Sequence, residues 1–184
     1  MKLVVRNKAK HASVGLFALL TAGMGNCALA DNSTRNFQLD AWSDNWFAAW
    51  NGEVLIVEDS VPITTERSFN KETASFSAQY PLHLNFLLKD FKENNTGLEY
   101  IGSRRQQMGD GGFIMQVHDQ ESGDVVAVSS AAMKCVVLHE APLDKSCKNE
   151  RDPQEGVAPC EHRSTPEPED WKLGSFDDGD WIQA

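Results

Sequence analysis

Positive charge is scarce in this sequence of 184 residues, in which 17 lysines and arginines stand against 27 aspartates and glutamates. The formal net charge of −10 argues against a nucleic-acid partner, because such binding needs a basic surface that displaces phosphate counterions. Long apolar runs are scarce too, and after residue 30 no stretch approaches the roughly 20 residues that a transmembrane helix needs. Hydrophobic residues still make up 41% of the chain, which is enough for one packed domain.

Catalytic signatures are missing as well. The sequence has no Gly-x-Ser-x-Gly, no His-Glu-x-x-His and no glycine-rich phosphate loop that opens a helix. Carboxylates are so numerous that no pair stands out as a glycosidase pair. The histidines after residue 30 are scattered along the chain, at His83, His118, His139 and His162. We therefore predict that the protein is not an enzyme.

The first thirty residues have the composition of a secretory signal peptide. Four positive residues with no acid before Asp31 precede an apolar stretch at 12–24, and Ala28-Leu29-Ala30 matches an A-x-A cleavage pattern. This interpretation makes residues 1–30 a leader and residues 31–184 one mature domain. It also predicts a secreted or periplasmic location, where disulfides form.

An odd number of cysteines follows the predicted leader, namely Cys135, Cys147 and Cys160. Three single pairings are possible. We favour Cys147–Cys160, which would close a long polar loop at about 144–170 and stabilise the fold by about 3 kcal/mol. Cys135 lies in an apolar run and is expected to be a buried thiol.

Short alternating segments with polar turns predict an all-β protein. Asn51-Gly52 separates the apolar runs 46–50 and 53–57, which is a strong signal for a hairpin. Trp42, Trp46 and Trp50 would also share one helix face, but the β-branched run after Gly52 favours strands. Further segments of this kind lie at 74–80, 82–88, 113–118, 125–128 and 135–139. With no long amphipathic helix, they predict an antiparallel β-sandwich.

Two segments resemble galactose-binding-like jelly-roll modules of exported bacterial proteins. Residues 43–59 look like the strand, Asn-Gly turn and strand of that family, and Phe176-Asp177-Asp178-Gly179-Asp180-Trp181 is similar to its Phe-Asp-Asp-x-x-Trp. The middle stretch, 60–143, also resembles such proteins. The resemblance implies a jelly-roll sandwich and, by fold analogy, a binding or accessory module whose ligand is a carbohydrate.

The sequence departs from this family after Trp181. Closing strands normally follow the motif, whereas only three residues remain here. Either another element covers the exposed sheet edge, or the sequence is truncated at its C-terminus. An uncovered edge would be a docking site for a partner strand, so a structural module that docks on a larger protein is an alternative function.

A sugar site needs aromatic faces together with carboxylate, amide and guanidinium groups. Residues of these types at strand ends and in loops form the candidate ligand-binding set. They are Trp42, Asp44, Asn45, Arg104, Arg105 and Gln107. We assign Trp46 and Trp50 to the core.

No cofactor is firmly predicted, and a metal-binding protein is the other alternative. Calcium takes oxygen ligands, which acidic turns supply at Asp110, Asp177 and Asp178.

A copper site is the second metal hypothesis. Met133, Cys135 and His139 would share one face of a strand, and His118 could add a fourth ligand. Ordinary core packing explains the methionine and the cysteine better. The expected partner is thus a glycan or another protein.

Overall fold

The computed structural model describes residues 2–9 and 33–184 of the chain. These residues contain thirteen short strands and one 3₁₀ helix. The strands are β1 (Lys2–Ala9), β2 (Arg35–Asp44), β3 (Trp46–Asn51), β4 (Val54–Glu58), β5 (Asn70–Ala78), β6 (Leu82–Lys89), β7 (Leu98–Glu99), β8 (Gln107–Met108), β9 (Gly112–Asp119), β10 (Val125–Val128), β11 (Lys134–Glu140), β12 (Arg163–Ser164) and β13 (Ile182–Gln183). The 3₁₀ helix is Lys145–Asn149. Within these two ranges, no helix has the length and apolar character needed to cross a membrane.

Two antiparallel sheets form the sandwich. The first has the order β12-β11-β1-β6-β3-β4, with β13 also paired to β11, and the second has the order β10-β9-β2-β5. Strands β7 and β8 form a separate ribbon. The prediction of an all-β antiparallel sandwich is confirmed.

The hairpin predicted at Asn51-Gly52 joins β3 and β4. Asn51 pairs with Val54, so the two turn residues are Gly52 and Glu53, one position later than the Asn-Gly pair. Gly52 has a φ of 56°, which a residue with a side chain adopts at a cost. Trp46 and Trp50 thus lie on a strand, and the helical alternative is wrong.

The main core lies between the two sheets. Alternate residues of β2, β3, β6 and β9 point inward, and each large side chain that is fully buried contributes about 1.5–3 kcal/mol. The principal members are Phe37, Leu39, Phe47, Leu82, Leu84, Phe86, Met115 and Val117. The reduced Cys135 also packs in this core, as expected for a buried thiol.

A second cluster covers the outer face of the first sheet. Trp171 is 3% exposed and packs with Val4 and Leu138. Its ring meets that of Trp50 edge to face, with the ring centroids 5.8 Å apart. The segment 171–181, which carries the Phe-Asp-Asp-x-x-Trp motif, therefore lies across the first sheet. Strand β13 follows it and pairs with β11.

Strand β1 lies in the middle of the first sheet, although the sequence places residues 2–9 in a leader outside the domain. It pairs with β6 along its whole length and with β11 on the other side. Val4 is 0% exposed and Val5 is 3% exposed. In this structure residues 2–9 thus belong to the first sheet. The cleavage pattern Ala28-Leu29-Ala30 lies outside the described residues, and export stays a prediction.

Arg6 of β1 ties the C-terminal segment to the sheet. Its Nη1 donates to Asp178 Oδ2 at 2.8 Å and to the Phe176 carbonyl at 3.1 Å, and its Nη2 donates to the Leu173 carbonyl at 2.7 Å. Nε donates to Asn85 Oδ1 of β6 at 3.2 Å. Burial lowers the pKa of Arg6, and Asp178 opposes this effect. Each donor of this buried cation that is satisfied here offsets part of its desolvation cost.

Replacing Arg6 by methionine should lower the free energy of unfolding by about 3–5 kcal/mol, because Asp178 and two carbonyls lose their donor in a buried site. Urea unfolding followed by tryptophan fluorescence measures this loss. Lys8→Met is the matched control, since Lys8 lies on the same strand at 3.9 Å from Asp178 with a side chain 44% exposed. It should cost about 1 kcal/mol or less. Equal losses in the two variants would contradict the anchoring role of Arg6.

Removing residues 1–30 should abolish cooperative unfolding, because β6 and β11 lose the strand between them and the buried surface of Val4 and Val5 is lost. Those two side chains alone contribute about 3–6 kcal/mol, which is comparable to the whole stability of many domains. Thermal scans of residues 31–184 and of the full chain test this. Addition of a synthetic peptide of residues 2–9 should restore the transition. A shortened chain that unfolds cooperatively at the temperature of the full chain would show that β1 is dispensable.

Candidate functional site

Polar side chains alternate with core residues on three strands of the second sheet. In β2, Phe37, Leu39 and Ala41 pack between the sheets, so the residues that separate them face away from the core. The same alternation holds in β5 and β9. We call this outward surface the polar face. It consists of Gln38, Asp40 and Trp42 of β2, Lys71, Thr73 and Ser75 of β5, and Ile114, Gln116 and His118 of β9.

Trp42 supplies an aromatic ring on the central strand of the polar face, at one end of that face. Its cross-strand neighbours are Lys71 on β5 and Ile114 on β9. Lys71 Nζ lies 5.1 Å from the centroid of the indole ring, and Ile114 is 50% exposed. The indole and the isoleucine together form an apolar patch on an otherwise hydrophilic sheet.

Asp40 lies next to this patch and organises a hydrogen-bond network. Its Oδ1 accepts from Lys71 Nζ at 2.9 Å and from Thr73 Oγ1 at 2.7 Å, and its Oδ2 accepts from Gln38 Nε2 at 3.2 Å. Burial acts to raise the pKa of Asp40, but the bonds from Lys71, Thr73 and Gln38 outweigh it and lower the pKa to about 2. The carboxylate is thus ionised and its position is fixed.

An apolar ring beside fixed donors and acceptors is suited to a ligand with one apolar face and hydroxyl groups at its edge. Three hydrogen bonds use part of the acceptor capacity of Asp40, since an ionised carboxylate has about four lone-pair positions. Gln116 and His118, the neighbours of Asp40 and Gln38 on β9, add further donors and acceptors. Both are half-buried and so remain accessible from solvent.

The other predicted ligand-binding residues lie at the end of β2, just after it and in the β7–β8 region. Asp44 is the last residue of β2 and lines a largely apolar cavity of about 420 Å³ with Asp90. Asn45 is 4% exposed, and its Oδ1 accepts from the backbone N–H of Phe91 at 2.7 Å. Asn45 thus holds two chain segments together.

Arg104, Arg105 and Gln107 belong to the β7–β8 ribbon. The two arginines are exposed in its turn, and Gln107 Nε2 donates to Glu99 Oε2 at 3.1 Å. Gln107 also lines a shallow pocket together with Asp110. Trp42 is therefore the one member of the predicted set that lies on the polar face.

Two of the predicted calcium ligands have other roles in the structure. Asp178 pairs with Arg6, and Asp177 Oδ1 accepts from the backbone N–H of Gly179 at 2.9 Å. Across residues 2–9 and 33–184, no group of three or more histidine, cysteine or acidic side chains is placed to hold a metal ion.

Acidic residues do gather near Gly109. Burial raises the pKa of Asp44, Asp90 and Glu99, and the charge of Asp110 acts in the same direction on all three. Gly109 is needed here, because a Cβ at this position would collide with the Asp90 carboxylate. The cluster is therefore held together at an electrostatic cost.

The copper hypothesis is wrong in its geometry. Met133 and Cys135 pack in the core between the sheets, whereas His139 contacts Lys92 and Ser164. The cause is a register shift opposite Leu138, because Lys2 pairs with His139 while the next residue of β1 pairs with Val137.

The predicted disulfide is confirmed. Cys147 and Cys160 are joined, and both are buried beside Leu98 of the β7–β8 ribbon.

No family model matches the sequence, and no curated protein matches it. Two solved structures are similar in fold. The chain matches an α-L-rhamnosidase from Streptomyces avermitilis complexed with L-rhamnose, with a TM-score of 0.52, 8% identity and coverage of 99% of this chain and 12% of the enzyme. It also matches a lectin from Pleurotus ostreatus in complex with GalNAc, with a TM-score of 0.49, 13% identity and coverage of 99% of this chain and 36% of the lectin. The chain thus spans a small part of each.

The rhamnosidase match and the two sheets agree on an antiparallel β-sandwich fold, which is consistent with the resemblance to galactose-binding-like modules. The polar face lies on the four-stranded sheet of this sandwich, and segment 171–181 covers the other sheet.

The sequence contains a signal for the residues of the polar face that the prediction missed. Polar residues occupy alternate positions from Asn36 to Asp40 and from Thr73 to Ser77. A period of two marks one solvated face of a strand. The pattern does not show that β5 pairs with β2, and this pairing brings Lys71 and Thr73 to Asp40.

The low pKa of Asp40 predicts how its contribution to stability depends on pH. A carboxylate whose pKa is lowered from 3.8 to about 2 on folding stabilises the native state above pH 3.8, and this contribution is lost as the pH falls towards 2. Asp40→Asn should therefore cost about 1–2 kcal/mol at pH 7 and much less at pH 2.5. Urea unfolding at both pH values measures the difference. The exposed Asp180→Asn is the control, and an Asp40→Asn effect that is the same at both pH values would contradict the network.

Proposed function

We propose that the chain is a non-catalytic carbohydrate-binding module and that its glycan lies on the polar face. The observation that carries the proposal is the accessible ring of Trp42 directly beside the Asp40 network. The rhamnosidase match supports it by analogy of fold, because that structure was determined with a sugar.

The chemistry of a pyranose fits this arrangement. One face of the sugar ring presents C–H groups, which pack on an aromatic ring, while its hydroxyl groups need hydrogen-bond partners when they leave water. Trp42 and Ile114 offer the apolar surface. Asp40, Thr73 and Gln38 offer acceptors and donors that already have fixed positions, so little side-chain entropy is lost on binding.

The charge of the polar face favours a neutral sugar. Lys71 Nζ and Asp40 Oδ1 form an ion pair at 2.9 Å, so the network carries no large excess charge. A neutral ligand can thus approach without a counterion.

The pKa of Asp40 favours binding over hydrolysis. Glycoside hydrolysis uses two carboxyl groups, one of which holds a proton near neutral pH. Asp40 is the single carboxyl group among the residues that define the polar face, and its pKa of about 2 keeps it ionised. The residues that define the polar face therefore do not include the protonated carboxyl group that such hydrolysis uses.

Trp42→Ala should weaken glycan binding about ten-fold or more, since loss of the stacking surface corresponds to roughly 1.4 kcal/mol. A glycan array finds the ligand, and affinity gel electrophoresis in that glycan measures the dissociation constant. Leu55→Ala is the control, because Leu55 is an apolar residue, 51% exposed, on β4 of the first sheet.

The control should bind as tightly as the unmodified chain, and thermal scans should show both variants folded. Asp40→Asn should weaken binding as well. Failure of the full chain to bind any glycan, or unchanged binding by Trp42→Ala, would reject the polar face as a sugar site.

A further inference from the structure

A row of basic and hydroxyl side chains crosses four strands of the first sheet, and a tryptophan on a fifth strand flanks it. Trp46 of β3 pairs with Lys89 of β6, and Lys89 pairs with Lys2 of β1. Lys2 in turn pairs with His139 of β11, and His139 pairs with Ser164 of β12. Lys92, just beyond β6, joins this row through His139. Three lysines thus converge on one place in a chain whose net charge is −10.

Like charges on adjacent strands oppose folding, so this arrangement has a cost. Burial lowers the pKa of Lys89, and Lys2 acts in the same direction. Burial also lowers the pKa of Lys92. Both lysines would gain stability from a bound negative charge.

The protein's own carboxylates compensate these lysines only in part. The charges of Glu58 and Glu167 act to raise the pKa of Lys89, and that of Glu155 acts to raise the pKa of Lys92, but burial outweighs them in both cases. Lys2 Nζ lies 3.5 Å from Glu167 Oε2, in a pair whose side chains are more than one-third exposed. Lys89 Nζ lies 3.8 Å from the centroid of the Trp46 ring. In the described ranges, neither Lys89 nor Lys92 forms a salt bridge.

The row borders a cavity of about 430 Å³. Its walls include ammonium groups and hydroxyl groups, and one carboxylate, that of Asp90, is also present in the lining. The basic, imidazole and hydroxyl residues of the lining considered below are Lys2, Lys89, Lys92, His139, Ser164 and Thr165. The cavity is large enough for a tetrahedral oxyanion and for part of a group attached to it.

Hydrogen bonds set the polarity of the cavity wall. Lys92 Nζ, which can only donate, lies 2.9 Å from His139 Nε2 and 2.6 Å from Asn95 Oδ1. His139 Nε2 therefore accepts, and its Nδ1–H donates to Ser164 Oγ at 2.9 Å. Burial, followed by the charge of Lys92, lowers the pKa of His139 to about 4, which keeps the ring neutral. Because Ser164 Oγ accepts from His139, its own hydrogen is available as a donor.

We propose that this cavity binds a tetrahedral oxyanion, phosphate or sulfate, held by Lys2, Lys89, Lys92 and Ser164. A dianion would relieve the repulsion among the lysines and would accept from ammonium and hydroxyl donors, which is the usual chemistry of phosphate recognition. The group is either a free ion or an ester on a small sugar. The site lies on the first sheet and does not depend on the proposed sugar site on the second.

Sodium phosphate should raise the melting temperature of the full chain in a saturable way, by about 5 °C when phosphate is in large excess over its dissociation constant. Thermal scans at pH 7 measure this, with sodium chloride holding the ionic strength constant. A parallel titration with glucose 6-phosphate distinguishes a free ion from a sugar ester as the ligand. If glucose 6-phosphate binds more tightly than phosphate, the ligand is an ester, and if it binds more weakly, the ligand is the free ion.

Lys92→Gln and Lys89→Gln should each weaken the phosphate effect about ten-fold or more. Two variants are used because Lys92 also supports His139, whereas Lys89 does not. Lys145→Gln, an exposed lysine of the 3₁₀ helix, is the matched control and should respond as the unmodified chain does. An equal rise with sodium chloride alone, or an unchanged phosphate response in both cavity variants, would overturn the proposal.

Discussion

The buried guanidinium of Arg6 is the interaction on which the rest of the structure depends. It lies on the middle strand of the larger sheet and donates to two carbonyls and one carboxylate of the segment that covers that sheet. A charged side chain that is 3% exposed is tolerated only because its donors are satisfied. Through this residue the two ends of the described chain hold each other in place, and Trp171 is kept on the sheet.

The two sheets present surfaces of different chemistry. On the four-stranded sheet, an internal ion pair between Asp40 and Lys71 leaves a nearly neutral surface around Trp42. On the larger sheet, Lys2 and Lys89 are direct neighbours that carry the same charge. The facing sides of the two sheets bury one shared apolar core, which joins the supports of both surfaces.

The sequence predicted what local patterns determine. Alternation of polar and apolar residues predicted the strands, and the glycine at position 52 predicted the hairpin. The short spacing of Cys147 and Cys160 favoured their disulfide. These features depend on residues close together in the chain. Trp42 was a candidate because a sugar site needs an aromatic face, and the structure places it beside Asp40 on the polar face.

What the sequence did not reveal depends on pairing between distant segments. Asp40 and Thr73 are 33 residues apart, and nothing in either strand shows that they pair. The one-residue register shift in β11 moves His139 away from Cys135, which strict alternation does not anticipate. Strand β1 was missed for another reason, since its basic residues and the apolar run after it match a leader. The structure instead uses Arg6 as a buried anchor.

The central position of β1 has a consequence for the order of events during synthesis. Its neighbours β6 and β11 lie more than 70 and more than 120 residues further along the chain. Closing such long loops is slow, and β11 and segment 171–181 leave the ribosome late. Strand β1 is therefore among the last strands to be paired on both sides. Residues 2–9 lack these partners until the later segments have been synthesised, and during that time their backbone groups are accessible to other molecules.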